Sequence, residues 1–238
     1  MRNTKSKLFF SLLYPSFFVA TLWFILLFEN LEHINLSCYG LYPRTMKGLL
    51  GIFTSPLLHA DYNHLWANSI PLLILGAIIF YFYRTIAFEL FLWIYLMTGF
   101  WVWVVGREAL HIGASGIVYG FITFLFFSGV FRKDSKLLAL SMLVVFLYGG
   151  TLWGILPLRS SMSWESHLMG SIAGLITAYH YRKEGPPQRT YDFEDEEDGE
   201  NLNIEAIDQV DLETEPSSEK EKNSIISYDF VPKEKKSI

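Results

Sequence analysis

His64-Leu65-Trp66-Ala67-Asn68-Ser69-Ile70-Pro71-Leu72-Leu73-Ile74-Leu75-Gly76-Ala77-Ile78-Ile79-Phe80-Tyr81-Phe82-Tyr83 runs for twenty residues without an acidic, lysine or arginine side chain. A bilayer core takes about 20 apolar residues per helix. The run shows none of the alternation of a half-buried strand, so it reads as a membrane-spanning helix. Five further stretches have the same character: Leu8–Phe28, Ile86–Val105, Ala114–Phe131, Leu137–Leu156 and Trp164–Tyr181. The predicted fold is therefore all-α: a polytopic bundle of six transmembrane helices. Arg2, Lys5 and Lys7 precede the first span in the manner of a signal peptide. The apolar run is too long for one, and no small-x-small cleavage site precedes Glu29 and Asn30, so the helix is read as uncleaved.

The charges divide the 238 residues into two materials. Residues 184–238 hold 17 acidic and 6 basic side chains, a balance of −11, whereas residues 1–183 stand at +6. The predicted organisation is a membrane domain over 1–183 and an acidic, disordered tail over 184–238, with its densest run at Asp192–Glu200. Cys38, the single cysteine, excludes a disulfide scaffold. No basic stripe suited to nucleic acid is present. With the amino terminus inside, nine basic residues fall on the cytoplasmic side and four in the outer loops. That bias predicts a multi-pass protein of the cell (plasma or inner) membrane with both termini cytoplasmic. Residues 29–47 become a first outer loop lying at the interface.

This topology starts the second, fourth and sixth spans at the outer leaflet, where the polar residues cluster. His59, Asn63, His64 and Asn68 open the second, His111 and Ser115 the fourth, and His167 the sixth. Polar side chains at membrane depth are costly and mark function. Ser115 sits in Gly113-Ala114-Ser115-Gly116 at a loop-to-helix junction. Free N–H groups at a helix start suit a developing oxyanion. Gly116 with Gly120 also reads as a helix-packing pattern. A nucleophilic serine needs a base, and His167 is the candidate. Gly170 and Gly174, one turn apart, form a groove that lets the fourth span lie against the sixth. A histidine hydrogen-bonded to a carbonyl at the interface is the alternative for His167. His64 and Asn68 share a helix face and offer two donors beside the nucleophile, with the Ser115 backbone N–H as a third. No acid orients His167, Glu165 being adjacent in sequence and interfacial, so a dyad is expected rather than a triad. His111, Arg107 and Glu108 are expected to line a wet cavity. Zinc is the competing use of His59, His64, His111 and His167. No His-Glu-x-x-His motif occurs and Asp61 is the one acid near the second span, so neither metal nor cofactor is expected.

From Gly48 to Tyr181 these motifs resemble the rhomboid intramembrane serine proteases. His64-Leu65-Trp66-Ala67-Asn68, Gly113-Ala114-Ser115-Gly116 and His167 through Gly170 to Gly174 occur in the family's order. The resemblance implies that Ser115 attacks a scissile carbonyl, that His167 takes the proton, and that His64, Asn68 and the Ser115 amide hold the oxyanion. It implies that Tyr119 stacks on His167 and that His59 buttresses the first loop. It also implies lateral gating by Leu137–Leu156 and Pro157–Ser163, helped by flexing at Gly149 and Gly150. The implied partners are transmembrane protein substrates, cut near the outer face, within the lipid bilayer. Many family members carry a Trp-Arg pair where this chain has Leu50-Gly51; either Arg44 takes over its structural part or the loop packs differently. Two other classes remain: an inactive relative that binds transmembrane segments, and a transporter whose histidines line a proton path. The oligomeric state is not indicated.

Overall fold

A computed structural model describes residues 4–133, 135–147, 152–156 and 162–186. Among the described residues the chain forms seven α-helices and no strand. They are α1 (Thr4–Leu31), α2 (Met46–Thr54), α3 (Tyr62–Phe82), α4 (Ala87–Val105), α5 (Ser115–Arg132), α6 (Ser135–Leu147) and α7 (Trp164–His180). Of these, α1, α3, α4 and α5 are long and apolar enough to cross a membrane. The described part of α6 covers 13 residues and α7 covers 17. Residues 148–151, which contain Gly149 and Gly150, lie outside the described set, as do 157–161 of the proposed gating loop and the tail from 187 onward.

Helix starts follow local chemistry. Asp61 caps α3, its side chain accepting from the His64 amide at 2.8 Å. The one acid near the second span is thus committed to a helix terminus. Thr45 caps α2 by accepting from the Gly48 amide at 3.1 Å. This nine-residue helix starts at the end of the predicted first loop and was not anticipated by the hydropathy pattern.

The core gathers Leu65, Leu75, Ile79, Leu90, Ile94 and Phe124, each with no exposed surface. Phe17, Phe24, Phe88 and Trp93 point outward and are at least half exposed. An apolar exterior of that kind is suited to lipid rather than to water. Glycine decides how α5 meets α7. A Cβ on Gly170 would lie 2.0 Å from the Gly116 carbonyl oxygen, and one on Gly174 2.2 Å from that of Gly120. Backbone-to-backbone contact at this pair of positions seats Ser115, at the first turn of α5, beside the first turn of α7.

The outer loops are tied together by backbone pairing. Leu41 and His111 form an isolated antiparallel bridge, with amide-to-carbonyl distances of 3.0 and 2.9 Å. Gly51 of α2 rests on that segment, since a Cβ there would meet the Leu41 Cα at 2.3 Å. The Arg44 guanidinium donates to the Gly106 carbonyl at 2.7 Å and lies 3.6 Å from the Glu108 carboxylate. Arg44 thus braces the first loop, and Gly51 lets α2 pack closely on it.

Candidate active site

Ser115 opens α5 and His167 stands in the first turn of α7. Ser115 Oγ lies 2.7 Å from His167 Nε2. The other ring nitrogen, Nδ1, lies 2.8 Å from the carbonyl oxygen of Gly154, in the short 3-10 turn Leu152–Ile155. A carbonyl only accepts, so Nδ1 carries the proton and Nε2 presents its lone pair to the serine hydroxyl. Gly154 was not singled out in the sequence, because a backbone carbonyl leaves no side-chain signal. The glycine itself is required here: a Cβ would lie 2.1 Å from the Tyr119 hydroxyl and 2.9 Å from His167 Nδ1. Tyr119, one turn into α5, stacks on the His167 ring at 4.2 Å between centroids and 11° between planes.

A cavity of about 600 Å³ contains Ser115, His167, Tyr119, His64 and Asn68 in its wall. Loop residues Asp61, Leu110, Ile112 and Met162 form its rim. Asn68 is buried, and its amide nitrogen donates to the His64 carbonyl at 3.1 Å, leaving the second N–H of the group for another acceptor. His64 lies on Gly113, whose φ of 108° belongs to glycine. A side chain there would collide with the imidazole at 2.7 Å. The α5 N-terminus adds the Ser115 amide, which has no acceptor within the helix. Pro71, also in the wall, removes the donor that the Ala67 carbonyl would have within α3.

His59 stands behind this layer, 3% exposed, with its Nε2 3.4 Å from the Ala114 amide, which donates to it. Burial, reinforced by the His64 ring at 5.1 Å, pushes its pKa down to about 3. His59 therefore stays neutral and holds the backbone that leads into Ser115.

One sequence expectation is corrected. His111, Arg107 and Glu108 do not line the cavity. His111 is 2% exposed and bridges loops, with Nδ1 2.6 Å from Ser163 Oγ and Nε2 3.2 Å from the Arg107 carbonyl. Burial lowers its pKa. Glu165 is buried in the protein: its side chain is 4% exposed and its carboxylate lies 3.2 Å from Arg107 Nε. Arg107 also donates to the Met162 carbonyl at 2.7 Å, so one guanidinium fastens the third loop to the chain entering α7. Arg107 lies in the loop before α5 and Glu165 in the first turn of α7, segments joined only by the fold, which is why sequence spacing missed the pair. Among the described residues no group of three or more His, Cys, Asp or Glu side chains is placed to hold a metal.

Comparison with known proteins agrees with this architecture. The Rhomboid domain matches residues 47–184. An uncharacterized protein of Mycobacterium tuberculosis is 36% identical over 176 residues, 68% of this chain and 71% of the relative. An uncharacterized protein of Mycobacterium bovis matches to the same extent, and one of Mycobacterium leprae is 34% identical over 176 residues, 68% of each chain.

Proposed function

The chain belongs to the rhomboid family of integral membrane proteins, and from that premise we propose that it is an intramembrane serine endopeptidase working through a Ser115–His167 dyad. The observation that carries the proposal is the pair of contacts on one imidazole: Nε2 to Ser115 Oγ at 2.7 Å and Nδ1 to the Gly154 carbonyl at 2.8 Å.

The chemistry follows from that tautomer. Ser115 Oγ attacks the scissile carbonyl while Nε2 accepts the hydroxyl proton. The Ser115 amide, the His64 imidazole and the Asn68 amide group then donate to the oxyanion, each such donor being worth about 10²–10³ in rate. The imidazolium passes its proton to the leaving amine, and an ester to Ser115 remains. Water entering the cavity from the loop side is deprotonated by Nε2 and hydrolyses that ester. The positive charge that forms on His167 is met by the Gly154 carbonyl and by the face of Tyr119, a cation–π contact worth about 0.5–2 kcal/mol. These take the place that a carboxylate fills in a triad.

The substrates are transmembrane segments of other membrane proteins, cut near the outer leaflet. A helix keeps its carbonyls in its own hydrogen bonds, so the segment must unwind to expose one at Ser115. The proposal includes six spans over residues 1–183, an acidic tail over 184–238 and both termini on the cytoplasmic side. Reconstituted with a single-span reporter, wild type should cleave it, and Ser115→Ala and His167→Ala should each lose at least about 10³-fold. Undiminished cleavage by either variant refutes the dyad. A wild type that retains the reporter without cutting it identifies an inactive relative.

A further inference from the structure

Ser115 lies at one end of the bundle. The 21-residue α3 carries the chain about 31 Å to the other end. There, beyond anything the proteolytic site requires, two cavities lie side by side. The first, of about 1040 Å³, has Lys7 of α1 and Arg84 of the α3–α4 turn in its wall, together with Phe10, Tyr81 and Thr85. The second, of about 230 Å³, is a cleft between α1 and α4 floored by Leu72 and Gly76 of α3. Tyr14, Phe80 and Phe88 line both, so the two adjoin across these side chains. The small cleft is walled by aromatic and aliphatic side chains, Phe17, Phe18 and Phe91 among them. Gly76 sets its depth: a Cβ there would reach 2.8 Å from the Pro15 ring.

We infer that this composite cavity binds one anionic glycerophospholipid, its phosphate between Lys7 and Arg84 and one acyl chain along the α1–α4 cleft. Polarity matches the amphiphile: cations in the wide part, then an apolar cleft reaching Leu72, midway along α3. Long basic side chains at span ends reach for the headgroup layer while their stems stay in apolar surroundings. Arg84 is held by the Phe10 ring at 5.7 Å, which leaves its guanidinium edge for a phosphate. Glu184 also lines the wide part. Two cations against one carboxylate leave one net positive charge, complementary to a single phosphodiester. A basic pocket between spans is the usual form of such a lipid site.

The test uses the full chain in detergent and native mass spectrometry, with phosphatidylglycerol and phosphatidylcholine of identical acyl chains. Its readout is independent of proteolysis. Wild type should retain phosphatidylglycerol about fivefold more strongly than phosphatidylcholine, the worth of one net interfacial cation. Lys7→Gln with Arg84→Gln should bring the ratio close to one, and Lys7→Arg with Arg84→Lys should keep it. Glycerol phosphate, the headgroup without chains, should not displace the lipid. Equal retention of the two lipids by wild type, or an unchanged preference in the double glutamine variant, overturns the inference. Displacement by glycerol phosphate overturns the lipid and leaves a site for a free anion.

Discussion

Gly154→Ala is the most informative single change in this molecule, because it adds one methyl group and no charge. Placed on the existing backbone, that methyl sits 2.1 Å from the Tyr119 hydroxyl and 2.9 Å from His167 Nδ1. Contacts of that length are not sustained, so the 3-10 turn must retreat by about 1 Å relative to the ring stack. The 2.8 Å bond between Nδ1 and the Gly154 carbonyl then lengthens past hydrogen-bond range. In the transition state of the proposed mechanism His167 is an imidazolium and that bond is charge-assisted, worth about 1.5–3 kcal/mol. The loss corresponds to about 10- to 150-fold in kcat/KM for a transmembrane reporter. Tyr119→Phe removes the atom nearest the added methyl, leaving the ring carbon at 3.1 Å. The double variant should therefore recover several-fold over Gly154→Ala, although Tyr119→Phe alone brings no gain. A thermal melt in detergent separates this from unfolding. Cleavage by Gly154→Ala at the wild-type rate, with an unchanged melt, refutes the idea that a backbone carbonyl orients the base.

Asn68→Ala should lower kcat by about 10²–10³ if its free N–H meets the oxyanion, with KM for the reporter little changed; an effect confined to KM assigns Asn68 to substrate binding instead. Arg107→Ala strands the 4%-exposed Glu165 carboxylate. Arg107 is itself 36% exposed, so the cost should fall at about 1–3 kcal/mol of stability rather than the full price of a buried pair. Arg107→Ala with Glu165→Gln should recover part of that loss, and a single variant that melts like wild type contradicts the clamp. His59 gives a pH dependence with a defined sign. Unfolded histidine titrates near 6.5 and His59 in the fold at about 3, so above pH 6.5 it is neutral in both states. As pH falls from 6.5 toward 3 only the unfolded chain takes the proton, and stability drops by up to about 1.4 kcal/mol per unit. Melts of wild type and His59→Asn between pH 7.5 and 4.5 should show the shallower slope in the variant; parallel slopes contradict a neutral His59.

The parts of this site that could be read from the sequence are those carried by side chains at helical spacing. His64 and Asn68 share a face because they are four apart, and Gly170 and Gly174 mark a groove because small residues one turn apart can serve no other packing so well. The parts that could not be read are of two physical kinds. The Gly154 carbonyl orients His167 through the backbone, which every residue possesses. Arg107–Glu165 and His111–Ser163 join residues more than fifty positions apart, and nothing local in either loop encodes its partner. Asp61 belongs to neither kind: an acid three residues before His64 is a legible helix cap, set by local spacing alone. The α2 helix escaped because Gly48 and Gly51 depress its helix propensity, while the same Gly51 permits its contact with Leu41.

The dyad itself is tested most directly by covalent labelling. Wild type reconstituted in lipid and treated with a fluorophosphonate should carry one adduct, located by peptide mass spectrometry on Ser115, and His167→Ala should label at least about 10³-fold more slowly. An adduct on another residue, or protein that cleaves its reporter while Ser115 stays unmodified, contradicts the assignment of the nucleophile.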